Sequence, residues 1–314
     1  MKPLLVAFAI LPSFLTVPRL VRAEDSAQVV VERKTKTISN GSGEKPFDVT
    51  RHTIPLSQIE RNIPKDAIPA LTSPQFVSAQ EAVKGLKESD RVLGAAFDGE
   101  AKAYPIGILN RHELVNDFIG NRPVLVTWCP LCGSSVLYDP VVDGQRLTFG
   151  VTGLLYKRNA IFYDHETMSL WSQLLSESVA GPMAGTPLPV LPMTDTTWGE
   201  WRRVHPNTLV LSFPTGRARD YEVDPYESYP LDRKPALLVT NGVQSKIYSF
   251  SELKMAGPRI VDQVGGVEIT IHYDHASKTA QVNQSNGAIT SFVAFLNNLR
   301  EFYPRAVIYK APKR

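Results

Sequence analysis

"VLGAAFDGEAKAYPIGILNRHELVNDFIGNRPVLVTWCPLCGSSVLYDP" (residues 92–140) has a counterpart later in the chain, "ALLVTNGVQSKIYSFSELKMAGPRIVDQVGGVEITIHYDHASKTAQV" (236–282). Each reads as a strand, a glycine turn, a short strand at "AKAYP" or "SKIYS", a helical or looped "IL" or "EL" segment, "VND" or "IVD", a glycine turn and a long strand. Tyr104 aligns with Tyr248 and Asp117 with Asp262. A second echo sets "WGEWRRVHPNTLVLS" (198–212) against "FLNNLREFYPRAVIYK" (295–310): an amphipathic helix, His-Pro or Tyr-Pro, then a β-branched strand. The period is far longer than the roughly 20–50 residues of a solenoid repeat, so the pattern predicts two related lobes from an internal duplication.

Hairpins predict the sheet type. "SSVLYDPVVDGQRLTFGVTG" (134–153) turns at Asp143-Gly144 between alternating segments, as an antiparallel pair does. No regular alternation of strands with long helices supports a parallel sheet. The expected fold is α+β, mostly antiparallel sheet with short helices. Ser78 and Glu81 form a capping-box pattern that starts a short helix over 78–86.

The chain begins "MKPLLVAFAILPSFLTVPRLVRA", with Lys2, an apolar run, and small residues at Val21 and Ala23 before Glu24. This pattern predicts a signal peptide over 1–23 and export to the periplasm or the medium. Removing Lys2, Arg19 and Arg22 leaves 31 basic against 31 acidic residues, so net charge gives no reason to expect nucleic acid. No later run has the length of a membrane helix, so no integral membrane segment is expected in the mature chain. Residues 24–75, rich in Pro, Ser and Thr, predict an extended arm. A first lobe follows over 76–225 and a second, degenerate lobe over 226–314.

The two cysteines of the chain, Cys129 and Cys132, sit in "TWCPLCGSS". Pro130 fixes φ and Gly133 permits a left-handed backbone, so the segment folds as a tight turn that points both sulfurs at one centre. Such a knuckle suits a soft or borderline metal, copper or zinc. The rival readings are a thiol–disulfide oxidoreductase and a scaffold held by a structural disulfide. Exchange chemistry requires a group that depresses one thiol, and no helix start or nearby Lys or Arg supplies one. Over 106–120, helical spacing places Ile108, His112, Val115 and Ile119 on one inward face, which makes His112 the third ligand candidate. Glu113 and Asp117 then fall on a more exposed face. Arg158, Asp164, Trp171 and Gln173 cluster as pocket candidates, with His205 as a further one. No phosphate loop, metalloprotease motif or nucleophile elbow is present.

"AKAYPIGILNRHELVND", "TWCPLCGSSVLYD", "TFGVTGLLYKRNAIFYDHETMSLWSQ" and "WGEWRRVHPNTLVLS" together resemble the bacterial and archaeal family named domain of unknown function 3179, over about residues 65 to 310. The resemblance singles out His112, Glu113, Asn116, Asp117, Cys129, Cys132, Trp171, Gln173 and His205. It implies no activity.

Overall fold

The computed structural model describes residues 28–41, 45–213, 215, 221, 223–284 and 289–312. The expected leader lies outside them. Mostly antiparallel sheets with a few short helices make up the molecule.

A central layer organises the rest. Its path runs Val307–Ile308, Ser245–Ser249, Pro235–Thr240, Thr290–Phe295, Ser134–Tyr138, Arg122–Cys129 and Leu114–Ile119, with Val190–Leu191 paired to Ser134–Tyr138. Period-two alternation along these strands loads both faces. Leu125, Val136, Tyr138, Leu238, Phe292 and Ala294 face a seven-stranded sheet that carries Phe149, Phe162 and Trp171. Their neighbours Val124, Val126 and Leu137 join one cluster on the opposite face, and Leu237, Val239 and Val293 join another. Each fully buried side chain of this kind contributes about 1.5–3 kcal/mol.

The seven-stranded sheet is built from Phe149–Tyr156, Asn159–Asp164, Leu170–Ser172 and Glu177–Ala180. The early chain supplies both its edges: Arg51–His52 pairs at Ala180, with Val30–Val31 outside it, and Ile59–Arg61 pairs along Leu154–Tyr156.

The segments 91–138 and 235–284 run through the same elements in the same order. The first has strands Arg91–Phe97 and Glu100–Pro105, helix Ile106–Leu109, then Leu114–Ile119, Arg122–Cys129 and Ser134–Tyr138. The second has Pro235–Thr240, Ser245–Ser249, helix Phe250–Ala256, then Arg259–Val264, Val267–Asp274 and Thr279–Gln284. Helices Trp198–Val204 and Leu296–Phe302 each lead to a short strand, Leu209–Leu211 or Val307–Ile308. That strand pairs parallel with the second strand of its own half. Gly94 lets the first of these helices sit close, because a Cβ there would collide with the Trp201 ring.

Both halves also repeat an ion pair, buried in the first and half-buried in the second. Asp117 accepts from Tyr104 (2.7 Å) and Lys102 (3.1 Å). Asp262 accepts from Tyr248 (2.9 Å) and Lys246 (2.6 Å). Each half then lends its hairpin to the other. Ser135 bridges to Val293, and Thr279 donates to Thr196 Oγ1 at 2.6 Å.

One expectation fails. The helix over 106–120 stops at Leu109, and Leu114–Ile119 is a strand. Five of its six residues are buried, Asn116 and Asp117 among them, so tertiary cover on both faces erased the usual polar alternation. The capping-box helix does form, as the short element Ala79–Ala82, with both capping bonds present.

Candidate functional site

The register Cys129↔Ser134 closes the hairpin of Arg122–Cys129 and Ser134–Tyr138 with the turn Pro130–Gly133. Cys132 N donates to Cys129 O at 3.2 Å. Gly133 has φ 53°, and a Cβ there would strike the ring of Phe295. Only glycine meets both demands, the left-handed backbone and the close approach. Both thiols are free and buried, Cys129 at 1% exposure and Cys132 at 0%.

The two sulfurs are unlike. The Cys132 thiol donates to Cys129 and holds the Cys129 thiol below its ordinary pKa. The N–H groups of Ala160, Cys132 and Leu131 act in the same direction, against burial. That same hydrogen bond, with burial and the Cys129 charge, pushes Cys132 well up. Cys132 Sγ also lies 3.3 Å from the carbonyl oxygen of Arg158. A single turn thus makes one stabilised thiolate and one proton-bearing partner.

Glu113 stands beside them. It occupies the bend before Leu114–Ile119 at φ 58°, and its carbonyl accepts from Trp128 N at 2.8 Å. Burial, then the negative Cys129, raises its carboxyl to about 8. Tyr226, donating to Oε1 at 3.4 Å, opposes the shift. The Tyr226 hydroxyl is itself pushed above the ordinary phenol range, by burial first and then by Glu113 and Cys129. The carboxylate beside the thiols is therefore Glu113, which the helical reading had turned away from them.

A fully paired polar network ties the turn to the sheet above. Gln173 Oε1 accepts from Ser134 Oγ (2.6 Å) and Asn159 Nδ2 (2.8 Å), and its Nε2 donates to Thr127 Oγ1 (2.9 Å). Asn159 Oδ1 accepts from Leu174 N at 3.1 Å. Buried and satisfied, such a network fixes one geometry.

The remaining candidates disperse. His112 is fully buried, but Nδ1 meets Pro69 O at 2.7 Å and Nε2 meets the Tyr221 hydroxyl at 2.7 Å. Both nitrogens are thus engaged away from the thiols. Asp164 accepts from Trp171 Nε1 (2.8 Å), Thr167 Oγ1 (2.9 Å) and Ser169 N (3.2 Å), which fastens its own turn. Arg158 is exposed, with Glu301 at 3.8 Å, and its charge reaches Cys132. His205 caps helix Trp198–Val204 and stacks on Trp201 at 4.0 Å between ring centroids. Among the described residues no group of three or more His, Cys, Asp or Glu is placed to hold a metal ion.

The chain belongs to the family described as "Protein of unknown function (DUF3179)", which matches residues 65–304. No curated protein and no solved structure matches it.

Proposed function

We propose that Cys129 and Cys132 are a redox-active dithiol, with Glu113 as its proton store. One observation carries this reading: a hydrogen-bonded turn lowers one thiol, raises the other, and sets a protonated carboxyl beside the pair. Those are the parts thiol–disulfide exchange needs. The Cys129 thiolate attacks one sulfur of a partner disulfide and releases the other as a thiolate, which takes the Glu113 proton. Cys132 then attacks Cys129 Sγ and forms the internal disulfide. It expels the second partner sulfur, to which the Cys132 proton passes. Two electrons go to the partner, and Glu113 recovers a proton from water. Both sulfurs are covered, so a partner reaches them only when the chain around the turn moves. Such a dithiol belongs outside the cytoplasm, as the leader-like start also suggests.

The test is equilibration of purified protein with glutathione buffers of graded ratio, followed by mass spectrometry and differential alkylation. The expected result is one reversible Cys129–Cys132 disulfide, and faster alkylation of Cys129 than of Cys132 in the reduced form. Equal alkylation rates with no internal disulfide would sink the reading.

A copper or zinc ion on the two thiolates is the second reading. The cradle of N–H groups around Cys129 favours it, because such turns also hold metal-bound thiolates. It requires Cys132 to lose its proton and further donors to move in, and His112 would have to give up both its partners. Stoichiometric metal in purified protein, absent from Cys129→Ser and Cys132→Ser, would establish it.

We also infer that the halves descend from one duplicated unit. The common element order, the paired Lys-Tyr-Asp groups and the reciprocal hairpins support that reading.

A further inference from the structure

The second half's counterpart of the cysteine turn opens on a cleft. Asp274, Ser277 and Thr279 line one side of a cavity of about 390 Å³. Helix Trp198–Val204, with Thr194 and Thr196, lines the other. A neighbouring cavity of about 330 Å³ shares Thr194, Trp201, His205 and Gln281 with it, so the two form one cleft between the halves. Volumes of about 300–1,000 Å³ are those of small-ligand sites.

Its chemistry is specific. The charged groups of the lining are already engaged. Glu200 takes Arg203 through two bonds, at 3.0 and 2.6 Å. Asp195 pairs with Arg91. Asp274 accepts from Ser277 Oγ (2.7 Å) and Ala276 N (2.9 Å). The unused capacity is elsewhere. Among the described residues, neither ring nitrogen of His205 or His272 carries a hydrogen bond, and Gln281 uses only its amide nitrogen, on Thr194. Burial holds His205 below the ordinary histidine pKa, so its ring is neutral at pH 7. Stacked on Trp201, that ring presents a flat face at the junction of the two cavities.

We propose that this cleft binds a neutral mono- or disaccharide, laid on the His205–Trp201 stack and hydrogen-bonded by Gln281, Thr194 and His272. A phosphate or carboxylate ligand would want an uncommitted cation. A divalent cation would want several free oxygens. An apolar ligand would bury the unused donors and acceptors without partners. A polyol uses them and needs no charge.

Saturation-transfer NMR on the intact protein tests this, with N-acetylglucosamine, galactose and maltose as probes and inorganic phosphate and acetate as charged controls. The expected result is transfer to at least one neutral sugar and none to the controls. Gln281→Ala, an exposed position, and His205→Ala each weaken it about tenfold, the scale of one lost ligand contact. Absence of transfer to every sugar, preference for phosphate, or undiminished sugar binding in both folded variants would overturn the proposal. The readout does not involve the thiols, so it stands or fails apart from the redox reading.

Discussion

Cys129–Ser134 and Asp274–Thr279 close equivalent hairpins, and they differ in what covers them. Both join six residues with a paired first and last member, and both place the fifth in the left-handed region: Gly133 at φ 53° and Lys278 at φ 49°. In both, the first residue's side chain accepts a hydrogen bond from the fourth, Cys132 to Cys129 and Ser277 to Asp274. The first turn lies under Phe295 and is sealed, whereas the second lines an open cleft. Hence similar local geometry yields a buried thiol pair in one place and, in the other, an exposed carboxylate that Ser277 likewise holds below its ordinary pKa. The turn lowers the pKa of its first residue in both places, and the cover sets how strongly burial opposes it.

Paired substitutions should break or sharpen that contrast. The largest effect is expected at the ion pairs. Asp117→Ala removes the closest carboxylate from the buried Lys102, leaving it Phe118 O and Glu100 at 3.6 Å, and should cost about 3 kcal/mol in urea unfolding. Asp262→Ala should cost less than half of that, since Lys246 and Asp262 are roughly twice as exposed as their counterparts. Equal losses would mean that cover does not distinguish the halves. Next, Gly133→Ala combines left-handed strain with overpacking against Phe295 and should cost about 2–4 kcal/mol.

A third expectation concerns pH. Glu113 titrates near 8 when folded and near 4.5 when unfolded. Between those values the folded state binds the extra proton, so this group's contribution falls as pH rises, and levels off above about 8. Glu113→Gln should gain stability relative to the parent from pH 5 to pH 8. Parallel pH profiles for the two proteins would show that the carboxyl is not perturbed. Pro258, the residue before the matching strand, has no such group, so the second half carries no equivalent slope. The smallest effect is Lys278→Gly, a gain of about 0.5 kcal/mol from relieving a left-handed residue in an exposed turn.

Much of this was legible from the residues. Glycine turns and alternation gave the hairpins, and the matched Tyr and Asp positions do make matching hydrogen bonds. The site was half legible. The Cys-Pro-x-Cys-Gly turn could be read, but its third member could not, because Ile108, His112, Val115 and Ile119 fit a helical face by spacing while the helix ends at Leu109 and the chain from Leu114 is a buried strand. A usable signal existed. Taking Gly120-Asn121 as a two-residue hairpin turn pairs Ile119 with Arg122. Counting back then sets Glu113 opposite Trp128, one residue from Cys129. The depressed Cys129 thiol was missed for a related reason. Its first donor is the Cys132 thiol of the motif itself, but the others are backbone N–H groups, one from the distant Ala160, which no side-chain pattern announces.

The early strands of the seven-stranded sheet have a consequence for the order in which the molecule assembles. His52 is synthesised long before Ala180, its partner, and Arg61 long before Leu154. Both sheet edges therefore wait for most of the first half to be made before they can pair. Closing loops of that length is slow, so the segment that leaves the ribosome early takes its place late, and a chain halted before residue 180 presents a sheet with an unfinished border.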